Sequence, residues 1–110
     1  QRLQIQDVAE ILAPHERVDL LHINCEGCEV PIIQRALATS KNVNAIEVQF
    51  HPQHISTEDY CSVAANLYAS GYRLSYQYVW VWELWVKTTP RAPTTSTASG
   101  ILASMIARPL

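Results

Sequence analysis

Apolar and polar positions change their spacing several times along this chain, and each change marks an element. Ile5, Val8, Ile11 and Leu12 fall on one face of a helix over residues 3–13. Pro14 ends that helix, because a residue preceding proline is pushed out of the helical region. The run Val18–Asn24 is short and mostly apolar, the pattern of a strand buried on both faces of a parallel sheet. Gly27 supplies a turn, and a second helix starts over residues 29–31, where an acidic residue suits the helix dipole and Pro31 is tolerated in the first turn. Val30, Ile33 and Leu37 make its buried stripe, and Ser40-Lys41-Asn42 closes it. Residues 43–50 are β-branched and mostly apolar, which predicts a second strand. A strand–helix–strand unit this short predicts a parallel pair, with the two strand ends as neighbours.

A polar loop at 51–55 leads to Ser56 or Thr57, either of which caps a third helix, with Asp59 three residues after Ser56 as in a capping box. Tyr60, Val63, Ala64, Leu67 and Tyr68 lie on one face of it, and Gly71 stands where a terminating glycine belongs. The period then drops to two. Tyr72, Leu74, Tyr76 and Tyr78 alternate with Arg73, Ser75 and Gln77, which predicts a half-exposed strand. Residues 82–87 read as its partner across a turn at 79–81, and two strands with no helix between them pair antiparallel. From Thr88 the composition becomes Thr-, Ser-, Pro- and Ala-rich, which builds no core. The expectation is a domain over 1–87 and a disordered tail over 88–110, the last ten residues being apolar enough for a short helix.

Composition narrows this picture only a little. A chain of 110 residues with 48% apolar and 16% charged residues is that of one globular domain. A formal net charge of -2 gives no electrostatic reason to expect nucleic acid as a partner, and no apolar run is long enough to span a membrane. Three cysteines are too few, and odd in number, for a disulfide scaffold, which points to reduced thiols in a cytosolic setting.

The stretch from Val18 to Glu29, Val-Asp-Leu-Leu-His-Ile-Asn-Cys-Glu-Gly-Cys-Glu, resembles the signature of FkbM-type S-adenosylmethionine-dependent methyltransferases, in which a strand ends in a Lys-Ile-Asp-x-Glu-Gly-x-Glu run. Asn-Ala-Ile-Glu-Val-Gln-Phe-His at 44–51 is similar to that family's next strand, and Gly-Tyr-Arg-Leu at 71–74 with Trp-Glu-Leu-Trp at 82–85 is similar to its terminal hairpin. The resemblance implies an α/β fold: the carboxyl half of a Rossmann-like methyltransferase sheet, with parallel strands 18–24 and 43–50, an antiparallel hairpin 72–87 and flanking helices. It also implies methyl transfer from S-adenosylmethionine to a hydroxyl of a small molecule or glycan. Two departures stand out. His22 and Asn24 occupy the places of the Lys and Asp, and an Asn does not take a proton as a carboxylate does. The glycine-rich loop and acidic strand end that would hold the cofactor are absent, so the chain reads as a fragment whose first strand would have an unpaired edge, inactive alone.

Ligands gather at the carboxyl edge of open α/β sheets, which makes the ends of the first two strands the place to look for chemistry. Glu26 and His51 are the candidate catalytic residues, each able to take a proton from an acceptor hydroxyl, and Asn24 is the candidate substrate-binding residue. Glu29 reads as a dipole partner at the helix start, and Glu47, inside an apolar strand, as a structural group in need of a partner. His15 and His22 carry no case beyond packing or solvent. Trp80, Trp82, Trp85 and the tyrosines of 72–78 read as half core rather than the lining of a substrate mouth. Cys25-x-x-Cys28 with His51-x-x-His54 leaves zinc or redox chemistry open as lesser readings, although the spacing is not that of a zinc finger. A non-catalytic methyltransferase-like interaction module is the other alternative.

Overall fold

The computed structural model describes residues 6–39, 42–78, 82–88 and 101–106. Its elements run α1 (Val8–Leu12), β1 (Val18–Asn24), α2 (Glu29–Thr39), β2 (Ala45–Val48), a 3-10 turn (Pro52–His54), α3 (Thr57–Ala69), β3 (Tyr72–Tyr78), β4 (Trp82–Lys87) and β5 (Ile101–Ile106). The α/β class and the element order of 1–87 are those expected. The second strand is shorter than 43–50: Val43 contributes only an isolated bridge to Val18, and the ladder runs from Ala45. The first helix is shorter than 3–13, running from Val8 to Leu12 behind Asp7, and residues 3–5 and the turn at 79–81 lie outside the described residues.

Local chemistry explains most of the boundaries. Asp7 caps α1 by accepting from the Ala9 N–H at 2.9 Å. The same carboxylate takes the Arg35 guanidinium of α2 at 3.0 Å, which ties the two helices together and holds the Asp7 carboxyl below the usual range. Ser56 caps α3, its hydroxyl accepting from the Asp59 N–H at 3.0 Å as the capping pattern predicts. Gly71 ends that helix at φ 93°, a left-handed conformation that glycine adopts without steric cost.

The strands form one mixed open sheet in the order β3-β4-β2-β1-β5. β1 pairs parallel with β2, Leu21 opposite Ile46 and Ile23 opposite Val48. β4 lies between β2 and β3, antiparallel to both. The unexpected strand is β5. It runs parallel to β1 on the side away from β2, from Val18 opposite Ile101 to Asn24 opposite Ile106. This corrects two expectations. Residues 101–106 extend a sheet rather than a short helix in a disordered tail, and β1 has no unpaired edge. The physical reason is the demand of β1 itself, whose backbone N–H and C=O groups on that side require partners.

One core holds the molecule. Val8 and Leu12 of α1, Ile33 and Ala36 of α2, and Val63 and Leu67 of α3 pack with Leu21, Ile23, Ile46, Val48, Tyr72 and Trp85 of the sheet. β1 is therefore buried on one face, not both: Leu21 and Ile23 are covered, while Leu20, His22 and Asn24 are half-buried on the other side. The stripe on α2 is rotated from the expected Val30, Ile33 and Leu37 to Glu29, Ile33 and Ala36. Tyr72 is buried and donates its hydroxyl to the Val43 carbonyl, and that burial pushes its pKa up to about 12.

Candidate functional site at the carboxyl edge of the sheet

Glu29 opens α2 on the same face as Ile33 and Ala36, four and seven residues on, so the helix carries its side chain into the protein. It is 0% exposed. Both carboxylate oxygens are used. Oε2 accepts from the Gly27 N–H at 2.8 Å, and Oε1 accepts from Nδ1 of His51 in a short contact. His51 stands just beyond β2, its side chain 13% exposed. A carboxylate only accepts, so Nδ1 donates to it, and in the neutral ring Nε2 is then the accepting nitrogen.

The two loops meet elsewhere too. Gly27 sits at φ 106°, and a Cβ there would lie 3.3 Å from Cβ of His54, so the space over this glycine is already filled. Cys25 and Cys28 are disulfide-bonded with their Cα atoms 5.5 Å apart, where reduced thiols were expected; Cys61 is free and exposed. The disulfide and the contact with Glu29 engage three of the four side chains of the zinc reading, Cys25, Cys28 and His51. Among the described residues no group of three or more His, Cys, Asp or Glu is placed to hold a metal ion.

The expected site residues divide. His51 is at the edge and held in place. Glu26 is exposed, and among the described residues no hydrogen bond orients its carboxylate. Asn24 ends β1 half-buried on the face opposite Ile23. The carboxylate joined to His51 is Glu29, which the sequence presents only as a dipole partner. Its spacing to Ile33 and Ala36 was the available signal for burial.

A second buried carboxylate lies at the other end of the same edge. Glu83 of β4, 7% exposed, accepts from the Tyr60 hydroxyl at 2.6 Å, the Gln77 amide at 2.9 Å and the Trp85 indole N–H at 2.9 Å. Burial, and then the hydrogen bond to Glu83, push the Tyr60 pKa well above its ordinary value, so the phenol stays a donor. Beside this cluster opens a cavity of about 330 Å³ lined in part by Phe50, Tyr60 and Glu83. Sequence reasoning missed the cluster, although strand alternation places Glu83 on the inward face with Trp85. The hairpin aromatics therefore separate: Trp85 and Tyr72 are core, and Trp82 and Tyr78 stand on the opposite face of the hairpin from Glu83, while Trp80 lies outside the described residues.

On the opposite face of the sheet, His22 Nδ1 lies 2.7 Å from Glu47 Oε1 across the β1–β2 pair, with the His22 ring 5.0 Å from that of Trp82. Glu47 thus has the partner its strand position demands, and His22 has a role. No helix among the described residues is long and apolar enough to cross a membrane.

Comparison with models of protein families, with curated proteins and with solved structures found no match.

Proposed function

We propose that this carboxyl edge is the acceptor side of an S-adenosylmethionine-dependent methyl-transfer site, acting on a hydroxyl of a small molecule or glycan. The observation that carries the reading is the Glu29–His51 pair at the adjoining ends of two parallel strands. His51 is the proton acceptor, and Glu29 is its positioning residue. A carboxylate bound to Nδ1 fixes the ring's orientation and leaves Nε2 to take the hydroxyl proton, which makes the oxygen a nucleophile. In this reading Asn24, at the end of β1, hydrogen-bonds the acceptor. The Rossmann-like relationship belongs to the same proposal; it is supported by the parallel β1–β2 pair and by β4 inserted antiparallel between β2 and β3.

The described residues do not fit the methyl donor. Holding S-adenosylmethionine would take a glycine-rich turn and an acidic strand end, and at the one glycine turn after a strand His54 fills the space. No step is assigned to the donor here.

The test is methyl transfer in the intact gene product carrying this chain, with methyl-labelled S-adenosylmethionine and pools of hydroxylated metabolites and glycans. Label should appear in an acceptor, and the His51→Gln variant should lose about 100-fold or more of that rate with its fold intact. Absence of both donor binding and label transfer would overturn the reading. The non-catalytic alternative draws on Asn24, which replaces an acid in the resembled run. If Asn24→Asp creates transfer that the natural sequence lacks, the site is a degenerate one.

A further inference from the structure

The turn between β1 and α2 holds two sulfur atoms that methyl transfer does not use. Cys25 follows the last residue of β1 and is 3% exposed, whereas Cys28 precedes α2 and is only partly buried. The backbone closes this turn by itself. The Cys28 N–H donates to the Cys25 carbonyl at 2.9 Å, the Ile32 N–H donates to the Cys28 carbonyl at 3.1 Å, and the Gly27 N–H is tied to Glu29. The disulfide joins residues only three apart in the chain. Stabilisation by chain entropy grows with the length of the loop that a disulfide closes, so a bond across a turn already held contributes little. As a structural staple it is poorly placed. As a reversible bond it is well placed, because the turn keeps the sulfurs neighbours whether or not they are joined.

The two sulfurs also differ in what can reach them. Cys28 is partly open to solvent and Cys25 is closed off. Cys28 stands at the start of an 11-residue helix, where N–H groups without helical partners stabilise negative charge on sulfur. The adjacent Glu29 carboxylate is already engaged by the Gly27 N–H and His51. One accessible sulfur that favours the thiolate and one buried sulfur beside it supply the two roles of thiol–disulfide exchange.

We infer that Cys25 and Cys28 form a reversible redox site that exchanges electrons with a small monothiol. The monothiol's thiolate attacks Cys28 Sγ, the bond to Cys25 breaks, and the Cys25 sulfur leaves as a thiolate that takes up a proton. A second monothiol attacks the first one's sulfur in this mixed disulfide and releases Cys28, which is protonated in turn. The pair has then gained two electrons and two protons, and the monothiols depart joined as their own disulfide. In the reverse direction Cys28 attacks that disulfide, and Cys25 displaces the bound thiol. Cys28 is only partly open and His54 packs over the neighbouring Gly27, which suits a small thiol better than a protein surface. The exchange uses neither S-adenosylmethionine nor a proton on His51, so it stands or falls independently of methyl transfer.

The experiment uses the full chain with Cys61→Ser, which removes the exposed free thiol, and glutathione as the probe. The protein is equilibrated in buffers from mostly oxidised to mostly reduced glutathione, quenched in acid, alkylated with a maleimide and weighed by mass spectrometry. The pair should pass from no adduct to two adducts within that range, with circular dichroism unchanged throughout. In the same background, Cys25→Ala leaves Cys28 alone, and oxidised glutathione should add to it about tenfold faster than to Cys25 in Cys28→Ala. If Cys25→Ala unfolds, the titration of the intact pair decides. A pair that stays oxidised or stays reduced across the whole range, or that opens only as the protein unfolds, would overturn the inference. Equal rates for Cys25 and Cys28 in folded variants would overturn it too.

Discussion

Glu29 and Glu83 are both buried carboxylates at the same edge of the sheet, and the fold gives them different partners. Glu29 shares its oxygens between a backbone N–H and the ring of His51. Glu83 is gripped by a phenol, an amide and an indole, none of which carries charge. A carboxylate bonded to an imidazole can organise a proton transfer, because the ring has a second nitrogen able to take or give a proton. A carboxylate bonded to three neutral donors has no such relay. It presents a fixed charge. The partners of a buried acid, more than its burial, decide which chemistry it could support.

The sharpest way to break this contrast is to exchange the partners. His51→Gln should cost about 100-fold or more in methyl transfer, whereas Glu26→Gln should change the rate only a few-fold, because general-base catalysis needs a group held within reach of the proton. Equal losses in a rate assay would return Glu26 to the centre. Next in size, Glu29→Leu leaves the Gly27 N–H and the His51 ring without their acceptor, and should lower stability by about 3 kcal/mol in urea denaturation. A loss under about 0.5 kcal/mol would show that the Glu29–His51 contact does not persist in solution. Tyr60→Phe removes one of three donors to Glu83 and should cost about 1.5 kcal/mol by the same measurement.

The smallest effect expected concerns alkaline pH. Burial raises the Tyr72 pKa to about 12, so the folded state keeps this proton where the unfolded chain has released it. The stabilisation is complete below the unfolded value near 10 and is lost as pH rises through the folded value. Chemical denaturation should therefore show stability falling from about pH 10 upward, with a shallower fall in Tyr72→Phe. That variant keeps the ring in the core but gives up the hydroxyl bond to Val43.

Much of the frame was legible because it rests on local chemistry. The cap at Ser56, the glycine at 71 and the alternation after Tyr72 each constrain the backbone within a few residues. The strand ends at Asn24 and at residues 48–51 were legible as neighbours, since a short strand–helix–strand unit leaves few other arrangements. Which carboxylate meets His51 was not. Glu26 and Glu29 are three residues apart, and which of them turns inward depends on how α2 rotates over the core, by one position from the stripe of Val30, Ile33 and Leu37. The Glu83 cluster joins α3, β3 and β4 through side chains up to 23 residues apart in the chain, and no local pattern encodes their meeting.

The sequence by itself determined where the helices and most strands lie, and that the polar strand end at Asn24 would have His51 near it. Those features follow from period, capping and turn geometry, which act over one or two turns of chain. Only the tertiary structure decided that Ile101–Ile106 completes the sheet beside β1, that Glu29 rather than Glu26 holds His51, and that Tyr60, Gln77 and Trp85 converge on Glu83. Those depend on backbone pairing and side-chain burial between distant segments, where the cost of an unpaired polar group is settled by whichever partner the fold brings near.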